Sequence, residues 1–318
     1  MLNVKIAIVT PAAAGSRTGN RHTAQRWSAM FRAAGHKVSV ATEWNATPAD
    51  VLFALHARRS HPSVLNFRHA YPDGNLVVVL TGTDLYRDIL YDTGAQLSLE
   101  LAQRLVVLQE EGLKALPRKF RAKTRVVYQS AQVTTGAIPP RKIFRVCVLG
   151  HLREEKDPFR AALALKCIAP DEKIELVQLG KALSPALAAQ ATSLMVQDPR
   201  YRWLGGLPHW RALHWLVRSH LMVISSRMEG GANAIAEAVC AGVPVIASAI
   251  PGNIGMLGSG YPGYFPPEDG NALSRLLTKA MRHQAYYLSL RRGIAARRHL
   301  FRPQSELASL TRLLREFT

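Results

Sequence analysis

Short apolar runs alternate with helical stretches along the chain, and they do so in two series. The first series holds KIAIVT (5–10), KVSVA (37–41), DVLFAL (50–55), LVVVL (76–80), LVVL (105–108) and RVVY (125–128). Runs rich in Val, Ile and Leu with so little polar alternation predict strands covered on both faces. Between them TAQRWSAMFRAAG (23–35) has helical spacing and a closing glycine, Gly35. TTGAIPPRK (134–142) denies both helix and ladder and marks a linker, giving domains at 1–138 and 139–318. The pattern then restarts with IFRVCVLG (143–150), KIELVQLG (173–180), the short RWLGG (202–206), LMVISS (221–226) and VPVIAS (243–248). Helices are expected at 158–169, 184–197, 209–219 and 232–241. The last fifty or so residues read as helical, with a break at Pro303. Two such series predict an α/β chain of two Rossmann-like, doubly wound domains facing each other, with a helical C-terminal segment.

Composition narrows the classes. The 318 residues suffice for a large core without staples. No apolar run reaches the roughly 18 residues of a membrane span, and the N-terminus lacks a secretory h-region. The three cysteines, Cys147, Cys167 and Cys240, are odd in number, widely spaced and set in apolar runs. They read as free thiols in a reducing cytoplasm, and no spacing suggests a metal site. The net charge of +19 calls for an anionic partner: nucleic acid, membrane headgroups or phosphorylated small molecules. No nucleic-acid module or interleaved aromatic-basic stripe is present, so nucleic acid is not expected. Arg291, Arg292, Arg297, Arg298 and Arg302 form a solvated helical face or a weak headgroup patch.

Ligands of open α/β sheets sit beyond the carboxyl ends of the strands, so the loops there are the places to look. After LMVISS comes RMEGGANAIAEAVCAG, with Glu229 at the turn and Glu237 within the following helix. Gly230 and Gly231 permit close approach of a ligand. The helix start at Ala232 favours an anion. Glu229 can accept hydroxyl donors at the turn; Glu237 and Asn233, one turn apart, offer further partners along the helix. A nucleotide sugar, with a diphosphate between two hydroxylated rings, fits this layout, although both glutamates could equally be solvated helix-end residues. GHLREEKDP (150–158) clusters His151, Arg153 and Lys156 where a diphosphate could be neutralised, or it is a surface loop paired with Glu154 and Glu155. PAAAGSRTGNRHT (11–23) carries Gly15, Ser16, Arg17, Asn20 and Arg21. It is neither a P-loop nor GxGxxG, and is expected to cradle an anion. LHARRS (55–60) offers His56, Arg58 and Arg59; TGTDLYRD (81–88) adds Thr81, Gly82, Thr83, Asp84 and Arg87. So many arginines after strand ends point to a small anionic acceptor, unless Arg58 and Arg59 merely open a solvated helix. Asp84 either orders the arginines or caps a short helix.

RMEGGANAIAEAVCAGVPVIAS resembles the donor-site signature of the GT-B glycosyltransferases of the glycosyltransferase-4 kind, a Glu, seven residues, a Glu, then A-G-V-P-V. GHLREEK resembles that family's G-R-L-x-x-E-K loop, with His151 where the family has arginine. The resemblance implies a GT-B fold and no metal or other cofactor. It places the sugar hydroxyls on Glu229, the ribose on Glu237, and the diphosphate on Lys156 with Arg153. Uridine then falls near LGGLPHW (204–210), which includes Leu207. A narrower set, TPAAAGSRTGNRHTAQRW, HARRS, LTGTDLYRDI, VVYQSA and IPGNIGMLGSGYPGYFP, resembles the selenosugar synthases of the selenoneine pathway. Those enzymes join selenophosphate to the anomeric carbon of a UDP-sugar, typically UDP-N-acetylglucosamine. Arg153, Lys156 and Glu229, by the wider family's motifs, and His56, by its place after a strand end, are the catalytic candidates. Gly15, His151, Gly230, Gly231, Ala232 and Asn233 join the donor site, and Ser16, Arg17, Asn20, Arg21, His56, Arg58, Arg59, Thr81, Gly82, Thr83 and Asp84 bind the acceptor. The product would pass to a downstream enzyme of the pathway. A GT-B transferase with an oxygen acceptor, at a membrane surface, is the alternative.

Overall fold

The structure, a computed structural model, describes residues 3–16, 18–133 and 135–317. Each apolar run of the first series becomes a strand: β1 (Lys5–Val9), β2 (Lys37–Ala41), β3 (Val51–Leu55), β4 (Asn75–Leu80), β5 (Arg104–Val107) and β6 (Thr124–Val126). All pair in parallel, in the order β2-β1-β3-β4-β5-β6. Alternate residues feed two separate cores. Ala7, Val9, Leu52, Ala54, Val78 and Leu80 join one; Ile6, Ile8, Phe53, Leu55, Val77 and Val79 join the other. That double burial explains the absence of polar alternation.

The second series forms β7 (Phe144–Leu149), β8 (Ile174–Leu179), β9 (Tyr201–Trp203), β10 (Leu221–Ile224), β11 (Val245–Ser248) and β12 (Tyr264–Phe265). This sheet is also parallel, ordered β12-β11-β10-β7-β8-β9. Both sheets interleave with helices, as a GT-B fold of two Rossmann-like domains requires. β12 lies inside a stretch that reads as a rigid aromatic loop, because two residues carry no periodicity. Tyr261 beside it is buried, and its hydroxyl donates to the Val245 carbonyl at 2.6 Å and accepts the Val245 N–H at 3.1 Å. It is a brace for β11.

Strand order reverses at β1/β3 in the first sheet and at β7/β10 in the second. At such switch points adjacent loops diverge and leave a crevice at the carboxyl edge. The four loops concerned are those that carry most of the candidate chemistry.

The chain divides into two compact units, Met1–Gln129 with Pro303–Thr318, and Ser130–Arg302. This departs from a second domain running over 139–318. The helix Pro303–Leu314 returns to the first unit because its apolar side, Leu310, Leu313 and Leu314, completes the core around Trp27, Phe31 and Phe53. Glu306, buried in the same place, accepts the Trp27 indole N–H at 2.6 Å and pairs with Arg26 at 2.9 Å.

Candidate active site

In the second unit the loop after β7 is pinned on both sides. Gly150 takes φ 146°, and a side chain at Gly180 would collide with the Gly150 carbonyl, so the β7 and β8 ends touch backbone to backbone. His151 accepts the Lys181 N–H on Nδ1 at 3.1 Å, which ties it to the loop after β8. A short 3₁₀ turn, Glu154–Lys156, follows. The loop after β10 then grips that turn: the Ser225 hydroxyl donates to the carbonyls of Lys156 (3.2 Å) and Asp157 (2.9 Å), and the Arg227 N–H to that of Glu155 (2.9 Å).

This clamp brings Lys156 to Glu229. The ammonium pairs with Oε1 of the carboxylate, which is buried. The same Oε1 accepts the Ser226 hydroxyl at 2.5 Å. Ser226 is itself held: its carbonyl accepts the Ser248 hydroxyl at 2.5 Å, and the Asn253 amide donates to Ser248 O and Oγ at 3.0 Å. Gly252, at the start of the helix Pro251–Leu257, packs so closely on the Glu229 carbonyl that a Cβ would stand 2.0 Å from it. Arg153, partly buried, forms no ion pair among the described residues.

Glu237 projects from the helix Asn233–Ala241, whose N-cap residue, Ala232, supplies no side-chain acceptor. It receives the His209 Nε2–H at 2.8 Å, and this hydrogen bond raises the imidazole pKa above its usual value. Leu207, two residues before His209, is half-buried. Lys156 and Glu229 thus meet at the β7/β10 switch point, just before the helix Asn233–Ala241 that carries Glu237. The concavity of about 450 Å³ lined by Ile143, Phe144, Lys173 and His220 is elsewhere, at the amino ends of β7 and β8.

In the first unit Asp84 is fully buried and accepts three backbone N–H groups, from Ala57 (2.9 Å), Thr81 (2.9 Å) and Gly82 (2.8 Å). It splices the loops after β3 and β4 and touches no arginine through these bonds. His56, at φ 77°, turns inward: Nδ1 accepts the Arg59 N–H at 3.2 Å, and Nε2 meets Thr83 Oγ1 at 3.0 Å and Asp88 Oδ2 at 3.8 Å. Burial with both ring nitrogens engaged suits a frame for the loop better than a proton-transfer group. Arg58 pairs with Asp92 (3.1 Å) and reaches Asp88 (3.8 Å), and Arg87 pairs with Asp88 (3.1 Å). The arginine cluster is therefore partly neutralised. Arg59 is exposed, and the Arg21 Nε is buried without a partner among the described residues. Gly15 (φ 81°) and the half-buried Ser16, beside Thr18, lie on the loop after β1, and Asn20 is in the first turn of the helix Gly19–Ala33; Arg17 lies outside the described residues.

Three participants escape the motif reading. Ser226 was signalled by its Ser-x-x-Glu spacing to Glu229, which places a hydroxyl within reach of a carboxylate. Asp88 follows Asp84 by four residues in DLYRD, a run coiled here as a π-helical turn (Asp84–Asp88) that no periodicity announces. His209 had no local signal, since its partner lies 28 residues on.

The profile of the family described as glycosyl transferases group 1 matches residues 138–298, just over half of the sequence. The chain belongs to that family. Solved structures agree on the fold. Sucrose-phosphate synthase of Thermosynechococcus elongatus superposes with a TM-score of 0.80 at 16% identity, covering 99% of each chain. HepE of Anabaena, solved with UDP-glucose, gives 0.79 at 15% identity over 99% of this chain and 100% of its own. The pneumococcal O-GlcNAc transferase, solved with UDP and GlcNAc, gives 0.66 at 14% identity, over 84% of this chain and 57% of its own. Among the described residues no helix is long and apolar enough to cross a membrane.

Proposed function

We propose that this family member transfers a hexose from a UDP-sugar, expected to be UDP-N-acetylglucosamine, to selenophosphate in the cytoplasm. The observation that carries the donor half is the pairing of Lys156 with Glu229 just before the helix that carries Glu237. Glu237 takes the ribose hydroxyls, Glu229 the sugar hydroxyls, and Lys156, Arg153 and the helix N–H groups the diphosphate. Lys156 has three donors, so it can serve Glu229 and a phosphate oxygen together. HepE and the pneumococcal enzyme, solved with UDP-glucose and with UDP and GlcNAc, support this donor class. Selenium forms the new bond to the anomeric carbon. The bond from that carbon to the diphosphate oxygen breaks, and UDP leaves with the electron pair. Cationic side chains that stabilise this departing charge supply the main catalytic effect, and the reading requires no metal.

The acceptor half rests on Arg59, Arg21 and the loops spliced by Asp84, together with the resemblance to selenosugar synthases. One observation favours an oxygen acceptor instead: Asp88 and Asp92 already neutralise Arg58 and Arg87. Mass spectrometry of reactions pairing UDP-N-acetylglucosamine and UDP-glucose with selenophosphate, thiophosphate, phosphate and a neutral alcohol separates the two. The expected result is released UDP with a Se-hexosyl selenophosphate, or with the selenosugar and phosphate that water gives by cleaving its Se–P bond. Transfer to the alcohol with none to selenophosphate establishes the second reading.

A further inference from the structure

The two oxygens of Glu229 are not equivalent. Oε1 accepts both the Lys156 ammonium and the Ser226 hydroxyl, whereas Oε2 receives no hydrogen bond among the described residues. A carboxylate on a flexible side chain can rotate and exchange its oxygens, so something must hold this one. Lys156 alone is a poor guide, being a point charge on a long stem. Ser226 is short, fully buried, and fixed through its own backbone. Its carbonyl accepts from Ser248, Ser248 is held by Asn253, and all three residues are inaccessible to solvent. Gly252 presses on the Glu229 carbonyl from the same helix start that carries Asn253. The orientation of one carboxylate is thus set by residues at the ends of β10 and β11 and by the first turn of the next helix.

We propose that Ser226 is a positioning residue for the donor sugar: by taking Oε1 it turns Oε2 outward as the sole Glu229 acceptor for sugar hydroxyls. The inference rests on Glu229 facing the sugar, as argued above. It assigns Ser226 to recognition of the hexose and not of the nucleotide. An ionised carboxylate oxygen only accepts, so the hexose class selected here carries a free hydroxyl as donor at that point, and a deoxy or alkylated ring there is refused.

Calorimetric titration of the full chain with UDP and with UDP-N-acetylglucosamine tests this in wild type, Ser226→Ala, Ser226→Thr, Glu229→Gln and the Ser226→Ala, Glu229→Gln double variant. Loss of one charge-assisted hydrogen bond predicts about tenfold weaker UDP-N-acetylglucosamine binding for Ser226→Ala, with UDP binding unchanged. Ser226→Thr restores the sugar-dependent part. In the Glu229→Gln background Ser226→Ala has a smaller effect than in wild type, because the hydroxyl then orients a neutral amide and not the carboxylate. An additive loss, or equal weakening of UDP, overturns the proposal and makes Ser226 a general structural residue. If Glu229→Gln weakens UDP-N-acetylglucosamine selectively while Ser226→Ala does not, the positioning role fails and the donor-site reading stands. If Glu229→Gln shows no selectivity, both fall. Ser226→Cys, close in shape and a weak donor, repeats the test should the alanine variant lower the folded fraction.

Discussion

His209 and Glu237 form the titratable contact that bears most directly on donor binding. The imidazole pKa is raised by the hydrogen bond to the carboxylate, against a smaller lowering by burial. A group whose pKa is raised on folding contributes stability below its unfolded value of about 6.5, and that contribution is lost as pH rises through the folded value. The same sign applies to competition at Glu237. Protonated His209 holds the carboxylate that the proposal gives to the ribose, and neutral His209 holds it less firmly. UDP-glucose affinity is therefore expected to rise severalfold from about pH 6 to about pH 8, and His209→Ala to flatten that rise. Titrating UDP-glucose, whose diphosphate ester does not ionise in this interval, keeps ligand protonation out of the result. An unchanged slope in the variant would remove His209 from the ribose site. Residue-level chemistry was legible for the strand-end placement of Lys156 and Glu229, though not for their pairing across 73 residues. It was illegible where the partner comes from a distant element. Asp88 and Asp92 temper the arginine cluster, and His209 meets Glu237, through contacts that only the folded sheet creates.

At the scale of elements, the proposed donor site is a junction of three loops whose spacing is set by glycines. A Cβ at Gly252 would stand 2.0 Å from the Glu229 carbonyl oxygen, which is backbone and cannot swing aside. Gly252→Ala therefore pushes the helix Pro251–Leu257 away from β10. Overpacking of this kind costs about 1–3 kcal/mol. It also displaces Asn253, and with it the support of Ser226. Gly260→Ala is the control, since nothing lies within 4 Å of a Cβ there and its φ is not left-handed. The expected outcome is a lower midpoint in urea and weaker UDP-N-acetylglucosamine binding for Gly252→Ala, with neither in the control. Wild-type binding by Gly252→Ala would show that the close approach serves packing alone. The strands were legible because burial on both faces leaves an unbroken Val, Ile and Leu signature, seen in VLFAL and LVVVL. The helix Gly19–Ala33 starts earlier than its apolar periodicity, which sets in at 23, because its first turn is largely polar. β12 and the π-helical turn are too short to carry any period.

At the scale of the whole molecule, the chain leaves its first unit after Gln129 and returns to it at Pro303. Sequence order hides this return, because an amphipathic helix shows that it has an apolar side but not which core receives it. The structure names the core, and Glu306 provides the means to test it. Its carboxylate is buried between Arg26 and the Trp27 indole, both on the helix that covers β1 and β3, while Arg104 and Arg125 hold Glu316 at the other end. Glu306→Ala leaves a buried indole N–H without its acceptor and a partly buried guanidinium without its counter-ion, a loss of about 3 kcal/mol. Glu306→Gln keeps an acceptor for Trp27 and loses less. Hydrogen exchange read by mass spectrometry assigns the damage to a unit. Faster exchange is expected in β1 to β6 and in the helix Pro303–Leu314, with protection in β7 to β12 retained. Loss of protection that is instead greatest in Ser130–Arg302 would place the last helix with the second unit, and UDP binding, which this reading assigns to that unit alone, would then fall in step with the Glu306 substitution.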